Sequence, residues 1–342
     1  MSAAPNRVRE YAQIDTIESV EPNESNKGVG KGVGKGVRKG VRKGWWVATA
    51  VLALLGFAAL GFWEHPFSYF DAWTNLRMWF DGARSQHVMV NGYRIHYLLE
   101  GPSNGRVVVL VHGLGGSAQD WRNLAPYLAK AGDRVYMPDL LGYGTSASPA
   151  NFSYSVRAEA GVVTGFMDAM GLKQVDLGGW SMGGWVVQLM AAEEPQRIQR
   201  LMLFDSAGLA DRPTWNTQIF TPTTPAELNQ LNALLRPNPP HIPGFVARDI
   251  LRIVRERGWV VKRSMATMLS GRDVTNTLLP RLKMSVLLVW GAQDHCIPLS
   301  EGEQMHQLIP QSELDVIPGC GHLAALDCAG KIAPAVNAFL IR

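Results

Sequence analysis

An α/β domain on a mostly parallel, doubly wound sheet is predicted, preceded by one transmembrane helix. Three observations predict it. From residue 87 onward, strand-like apolar runs alternate with amphipathic helical runs after a single hairpin signal. Gly179-Trp180-Ser181-Met182-Gly183 sits where one such strand turns into a helix. Residues 209–280 interrupt the alternation with prolines and helical stretches but no strand pattern.

The elements follow in chain order. Residues 1–44 read as a disordered tail: polar at first, then a Lys-Gly-Val repeat from Lys27 to Lys43. Glycine at that density is expected to prevent a stable helix. The repeat reads either as a polybasic segment on anionic lipid or as a solvated linker whose charge sets topology. Residues 45–63, Trp45 to Trp63, carry no charge and only Thr49 as a polar side chain. As a helix this stretch is roughly 28 Å long, close to the hydrocarbon thickness, with tryptophan at both ends. The basic run just before it predicts a single pass with the N-terminus cytoplasmic and the rest extracytoplasmic. Residues 64–86 place Phe67, Phe70, Trp73, Leu76, Trp79 and Phe80 at helical spacing. Two readings stay open: a helix in the lipid headgroup region, or a first helix packed on the globular domain.

The globular domain is placed at 87–342. Asn91-Gly92 between two alternating runs signals a type I′ hairpin. Val107–Val111 is a continuous apolar strand of the kind buried on both faces. Helices are predicted at 118–130 and 154–170, and strands at 134–138, 174–179, 201–204, 286–290 and 314–317. One closing helix is predicted over 324–340, kinked or broken near Pro334. The insertion at 209–280 is expected to form a helical cap over the strand ends, where open α/β sheets bind ligands.

Charge and cysteine content exclude some functions. The net charge of +4 resides in the tail, which holds nine basic and five acidic residues; the remainder balances to zero. No nucleic-acid partner is therefore implied. Cys296, Cys320 and Cys328 match no zinc spacing, so no metal is proposed. A Cys320–Cys328 bridge is possible, but three free apolar thiols are expected.

A Gly-x-Ser-x-Gly turn between strand and helix forces its serine into a strained conformation that exposes the hydroxyl. Serine becomes nucleophilic only when a base removes its proton and an acid orients that base. Asp294 ends the strand Val286–Trp290 by a turn, and His322 follows the last strand in a glycine-rich loop. Ser181, Asp294 and His322 are thus the candidate catalytic residues. Asp205 is the competing acid, and Asp294 is preferred on strand-end geometry. The backbone amides of Met182 and Leu114 are the candidate oxyanion donors. His112 and Asp139 read as loop braces. Trp180, Trp185, Leu209 and Phe220 suggest an apolar substrate pocket, though they equally suit a core.

Five stretches in order, His112-Gly-Leu-Gly-Gly, Asp139-Leu-Leu-Gly-Tyr-Gly-Thr-Ser, Gly179-Trp-Ser-Met-Gly, Trp290-Gly-Ala-Gln-Asp and Gly319-Cys-Gly-His, resemble the α/β-hydrolase superfamily over about residues 90–342. Within it, the N-terminal span, the aromatic stretch, Ser206–Leu209 and Thr224-Pro-Ala-Glu-Leu228 resemble the membrane-anchored monoacylglycerol lipases. The Lys-Gly-Val repeat departs from that pattern. The resemblance implies the α/β-hydrolase fold, no cofactor, and hydrolysis of monoacylglycerols or similar lipid esters at a membrane. Cleavage of carbon–carbon or peptide bonds by the same residues is a second expectation. A non-catalytic membrane receptor or scaffold on this fold is a third.

Overall fold

The computed structural model describes the backbone from Gly34 and the side chains from Trp45, position 212 excepted. The polar stretch and the start of the repeat, read as disordered, lie outside the described residues. Contacts divide the chain into two units at Phe57/Ala58. The first holds most of helix α1 (Gly34–Glu64). Its Trp45–Glu64 portion is long and apolar enough to cross a membrane, and none of it is buried within the protein. Over the described residues the helix runs from Gly34, inside the Lys-Gly-Val repeat, against the expectation of an unstructured tail up to residue 44. Extending an existing helix costs far less than nucleating one, so the apolar span carries the helix back into a glycine-rich segment.

The second unit, from Ala58, contains helix α2 (Pro66–Asp81) and one eight-stranded sheet. The strands are β1 (Arg84–Val90), β2 (Tyr93–Glu100), β3 (Arg106–Val111), β4 (Asp133–Pro138), β5 (Val175–Trp180), β6 (Ile198–Phe204), β7 (Ser285–Gly291) and β8 (Ser312–Ile317). Their spatial order is β1-β2-β4-β3-β5-β6-β7-β8, antiparallel for the β1–β2 and β2–β4 pairs and parallel elsewhere. Asn91 and Gly92 both take positive φ, as the hairpin signal predicts. Strand β1 starts three residues before the predicted boundary at residue 87.

Helices α4 (Val156–Ala169), α5 (Met182–Glu193) and α8 (Leu299–Leu308) cover one face; α3 (Ala125–Lys130), α9 (Ala324–Asp327) and α10 (Ala329–Leu340) cover the other. Alternate strand residues feed the two cores. Val109, Val111, Leu201 and Leu203 face α4 and α5, while Val108, Leu110, Met202 and Phe204 face α3 and α10. This two-sided burial explains the continuous apolar runs. The predicted closing helix is two helices, interrupted at Cys328, and Pro334 is accommodated inside the second.

Between β6 and β7 the described residues contain no strand. The insertion carries α6 (Pro225–Leu235) and the long α7 (Gly244–Met268). Thr224 caps α6 in a reciprocal box with Glu227. Parallel pairing of β3, β5, β6, β7 and β8 brings their carboxyl ends to one edge of the sheet.

Candidate active site

Ser181 lies between the end of β5 and the start of α5 with φ +56° and ψ −121°. A non-glycine residue rarely adopts such a backbone, and strain of this kind clusters at functional sites. The neighbouring glycines make it possible. A Cβ on Gly179 would fall on the Gly183 carbonyl, and one on Gly183 would fall on the carbonyls of Val111 and His112. The turn therefore presses β5, α5 and the end of β3 together and leaves the serine side chain as the outward group. Ser181 is partly exposed.

The Ser181 Oγ stands 3.0 Å from His322 Nε2, and His322 Nδ1 stands 2.8 Å from Asp294 Oδ2. The other Asp294 oxygen accepts the amides of Cys296 at 2.7 Å and Ile297 at 2.9 Å, which fixes the carboxylate in its turn. His322 is 2 % exposed. Burial alone would lower its pKa, but the Asp294 charge beside it prevails and holds the imidazole well above its ordinary value. The same carboxylate is placed to stabilise the imidazolium that would form when His322 takes a proton.

Three features hold the His322 loop. Gly291 has no Cβ to collide with the backbone carbonyls of Cys320 and Gly321, so the loop crosses directly over the end of β7. Trp180 Nε1 donates to the His322 carbonyl at 2.8 Å. Cys320 and Cys328 form a disulfide, which corrects the expectation of three free thiols. The loop turns back so that two cysteines eight residues apart come within 6.4 Å between Cα atoms, a normal disulfide span. Cys296 remains free and buried.

Asp205, the competing acid, is fully buried just after β6, and the imidazole's hydrogen bond goes to Asp294 instead. One of its oxygens accepts the Gly291 amide at 2.7 Å; the other has no partner. Burial first, and the Asp294 charge second, push its carboxyl well above the usual range. The structure thus separates the two acids: Asp294 bonds the His322 imidazole, and Asp205 bonds the Gly291 amide at the end of β7. Glu301, on α8, is pushed up to about 7 by burial and by the charges of Asp211 and Asp294.

The candidate oxyanion donors flank Ser181. Met182 opens α5, so its amide has no partner within the helix, and the positive end of the helix dipole lies there. Leu114 follows Gly113, where an added Cβ would stand 3.1 Å from Ser181 Cβ. That loop is braced as expected. His112 Nε2 accepts the Leu140 amide at 3.0 Å, and Asp139 accepts the amides of Ala118 and Thr145 and meets His96 at 2.7 Å.

Two residues assigned to an acyl pocket are committed elsewhere. Trp180 is 8 % exposed and holds the His322 carbonyl. Trp185 is 5 % exposed and donates to the Asp273 carbonyl at 2.6 Å. Both indoles are buried with their N–H satisfied, the usual state of a core tryptophan. Leu209 is also buried, whereas Phe220 is half-buried beside Trp215.

The family model for the alpha/beta hydrolase fold matches residues 106–270 and 271–328. Among curated relatives, the 2-hydroxymuconate semialdehyde hydrolase of Pseudomonas sp. (strain CF600) is 28 % identical over 252 residues, covering 69 % of this chain and 87 % of the relative. Lipase 3 of Moraxella sp. (strain TA144) is 26 % identical over 266 residues, covering 73 % and 82 %. Among solved structures, a membrane phospholipase A described as a bacterial virulence factor superposes with a TM-score of 0.76 at 24 % identity, covering 87 % of this chain and 98 % of that one. With well over half of its sequence matched by the family and the sheet order described above, this chain belongs to the α/β-hydrolase fold family.

Proposed function

We propose that the protein is a membrane-tethered serine esterase that cleaves lipid esters, monoacylglycerols or esters of similar kind, through an acyl-enzyme. The observation that carries this reading is the continuous hydrogen-bonded series Ser181–His322–Asp294, drawn from the ends of β5, β8 and β7. In this scheme Ser181 Oγ attacks the ester carbonyl while His322 Nε2 takes its proton. Asp294 orients the imidazole and stabilises the imidazolium. The amides of Leu114 and Met182 donate to the oxyanion. His322 then protonates the departing alcohol. A water repeats the sequence on the acyl-enzyme and releases the acid. Side chains and water complete the cycle, so the scheme calls for no cofactor. Leu209 and Phe220 are the residues we assign to the acyl side of the substrate.

The lipid assignment is supported by the likeness to the Moraxella lipase and by the apolar Trp45–Glu64 span. The Lys/Arg run ahead of that span favours an extracytoplasmic catalytic domain, and the Cys320–Cys328 disulfide suits an oxidising compartment. A second reading, hydrolysis of a carbon–carbon bond next to a carbonyl, is favoured by the 28 % identity to the semialdehyde hydrolase. One panel separates the readings: a p-nitrophenyl ester, monoacylglycerols of graded chain length, and a 2-hydroxy-6-oxo-dienoate. Monoacylglycerol turnover that disappears in a folded Ser181→Ala variant is the expected result. Undiminished turnover in that variant sinks the serine mechanism, and turnover of the dienoate alone selects the second reading.

A further inference from the structure

The start of α2 is capped from an unusual distance. The residue before it, His65, makes no side-chain cap bond. The Phe67 amide instead donates to Asp249 Oδ2 at 3.0 Å, across 182 residues, from the first part of the cap helix α7. A helix start needs acceptors for its free amides, and a local Ser or Asp would serve. A remote carboxylate serves the same need only if the two elements hold each other in place. Asp249 is 2 % exposed and receives Arg252 Nη2 at 2.7 Å and Nε at 3.0 Å, with His65 Nδ1 at 3.7 Å. Burial would raise its carboxyl, but Arg252 and the Phe67 amide outweigh that and hold it below the ordinary value. One turn earlier, Phe245 stacks on Trp63 at 4.9 Å and 7° and approaches Phe62 at 5.8 Å.

The other end of α7 reaches the candidate active site. Val261 lies sixteen residues beyond Phe245, roughly 24 Å along a helix. Its Cγ2 is 3.9 Å from the position a Cβ on Gly115 would occupy, in the loop that carries Leu114. Ser264 Oγ meets the Tyr143 hydroxyl at 2.7 Å. A single helix therefore joins the α1–α2 corner to the oxyanion loop. Helix α2, which starts at this corner, is also apolar on its outer side. Helix α2 turns Thr74 and Met78 inward and leaves Trp73, Trp79 and Phe80 exposed.

We propose that Asp249 and Phe245 form a clasp that fixes the cap helix to the juxtamembrane corner and thereby sets how well the protein hydrolyses esters held in a bilayer, as distinct from esters dissolved in water. This rests on the reading of the chain as a membrane-tethered lipid esterase. An ester in a bilayer reaches Ser181 only if the cap keeps a defined position against the lipid surface, whereas a dissolved ester needs no such reference.

The test uses the full chain reconstituted in phosphatidylcholine vesicles carrying a long-chain monoacylglycerol, with p-nitrophenyl acetate hydrolysed by the same preparation as the control. Asp249→Ala and Phe245→Ala are expected to slow monoacylglycerol hydrolysis about tenfold while the dissolved ester stays within about twofold, the scale of losing one charge-assisted bond or one aromatic stack. Asp249→Asn keeps an acceptor for the Phe67 amide and should fall between wild type and Asp249→Ala. Equal losses on both substrates would mean that the clasp only supports folding, and no loss on either would mean that it does nothing; each overturns the proposal. A wild-type protein active on the dissolved ester but inert on the bilayer ester fails the lipid reading itself and the clasp with it.

Discussion

The loops around Ser181 and the surface that carries α2 are assembled on opposite terms. Around Ser181, two buried acids have a partner for each carboxylate oxygen. Asp294 has two amide donors and an imidazole, and Asp139 has two amides and an imidazole. Near the end of α2, Glu100 is 2 % exposed and neither carboxyl oxygen has a partner. Helix α2 itself buries Pro66, Thr74 and Met78 and exposes most of its aromatic rings. Helix α10 does the reverse, burying Ile332, Val336 and Phe339. Similar helical spacing of apolar residues thus serves two ends. One helix is stabilised by the protein core. The other leaves its aromatic face exposed and lies next to an apolar span.

The sharpest way to break this contrast is to exchange the roles of the two acids at the site. Asp294→Asn should lower kcat by about 10³–10⁴-fold, because the amide cannot hold the imidazole in its working tautomer or stabilise its charge. Asp205→Asn should stay within about threefold, since the amide keeps an oxygen for the Gly291 N–H and it is Asp294 that bonds the His322 imidazole. Steady-state kinetics on a soluble ester measures both. Comparable losses would show that Asp205, too, serves as an acid.

A smaller effect is expected from the disulfide. Its loop is short, and opening it should cost about 2.5 kcal/mol by loop-closure entropy. Because Cys320 lies two residues before His322, Cys320→Ser should also reduce turnover, and reductant should do the same to wild type but not to the variant. Denaturant melts and initial rates with and without reductant read this out. A wild-type rate indifferent to reductant, with the bond shown to be open, would free the His322 loop from any dependence on Cys328.

The sequence was most legible where local chemistry decides the structure. Asn91-Gly92 makes the hairpin turn because only such residues tolerate positive φ at both positions. The glycines around Ser181 identify the tight turn, and the strand ends bring Asp294 and His322 within reach of it. Features that depend on distant partners were hidden. Nothing near Asp249 in sequence reveals that it caps a helix 182 residues away. Cys320 and Cys328 pair because Gly291 admits the loop over β7, an effect of tertiary packing. Trp180 and Trp185 look like pocket residues by size and polarity, yet direction decides their role, and both indoles point to carbonyls in packed surroundings. The helix reached back to Gly34 because the apolar span propagates it, which residue-by-residue propensity does not register.

The least effect, and the most specific to the α2 side, concerns Glu100. Burial first, and the nearby Asp81 second, push its carboxyl up to about 7 from an ordinary 4.5. The folded protein therefore keeps a proton that the unfolded chain releases, and its stability falls as pH rises through that window. Below about pH 4.5 both states are protonated and nothing is lost; above about pH 7 the whole deficit is present. Glu100→Gln removes the titration. It should match wild type near pH 4 and exceed it by on the order of 2 kcal/mol at pH 8. Chemical denaturation at the two pH values measures the difference directly. A variant that gains nothing at pH 8 would show that Glu100 has water or a partner there, and would remove the contrast between the partnered Asp294 and Asp139 and the unpartnered Glu100.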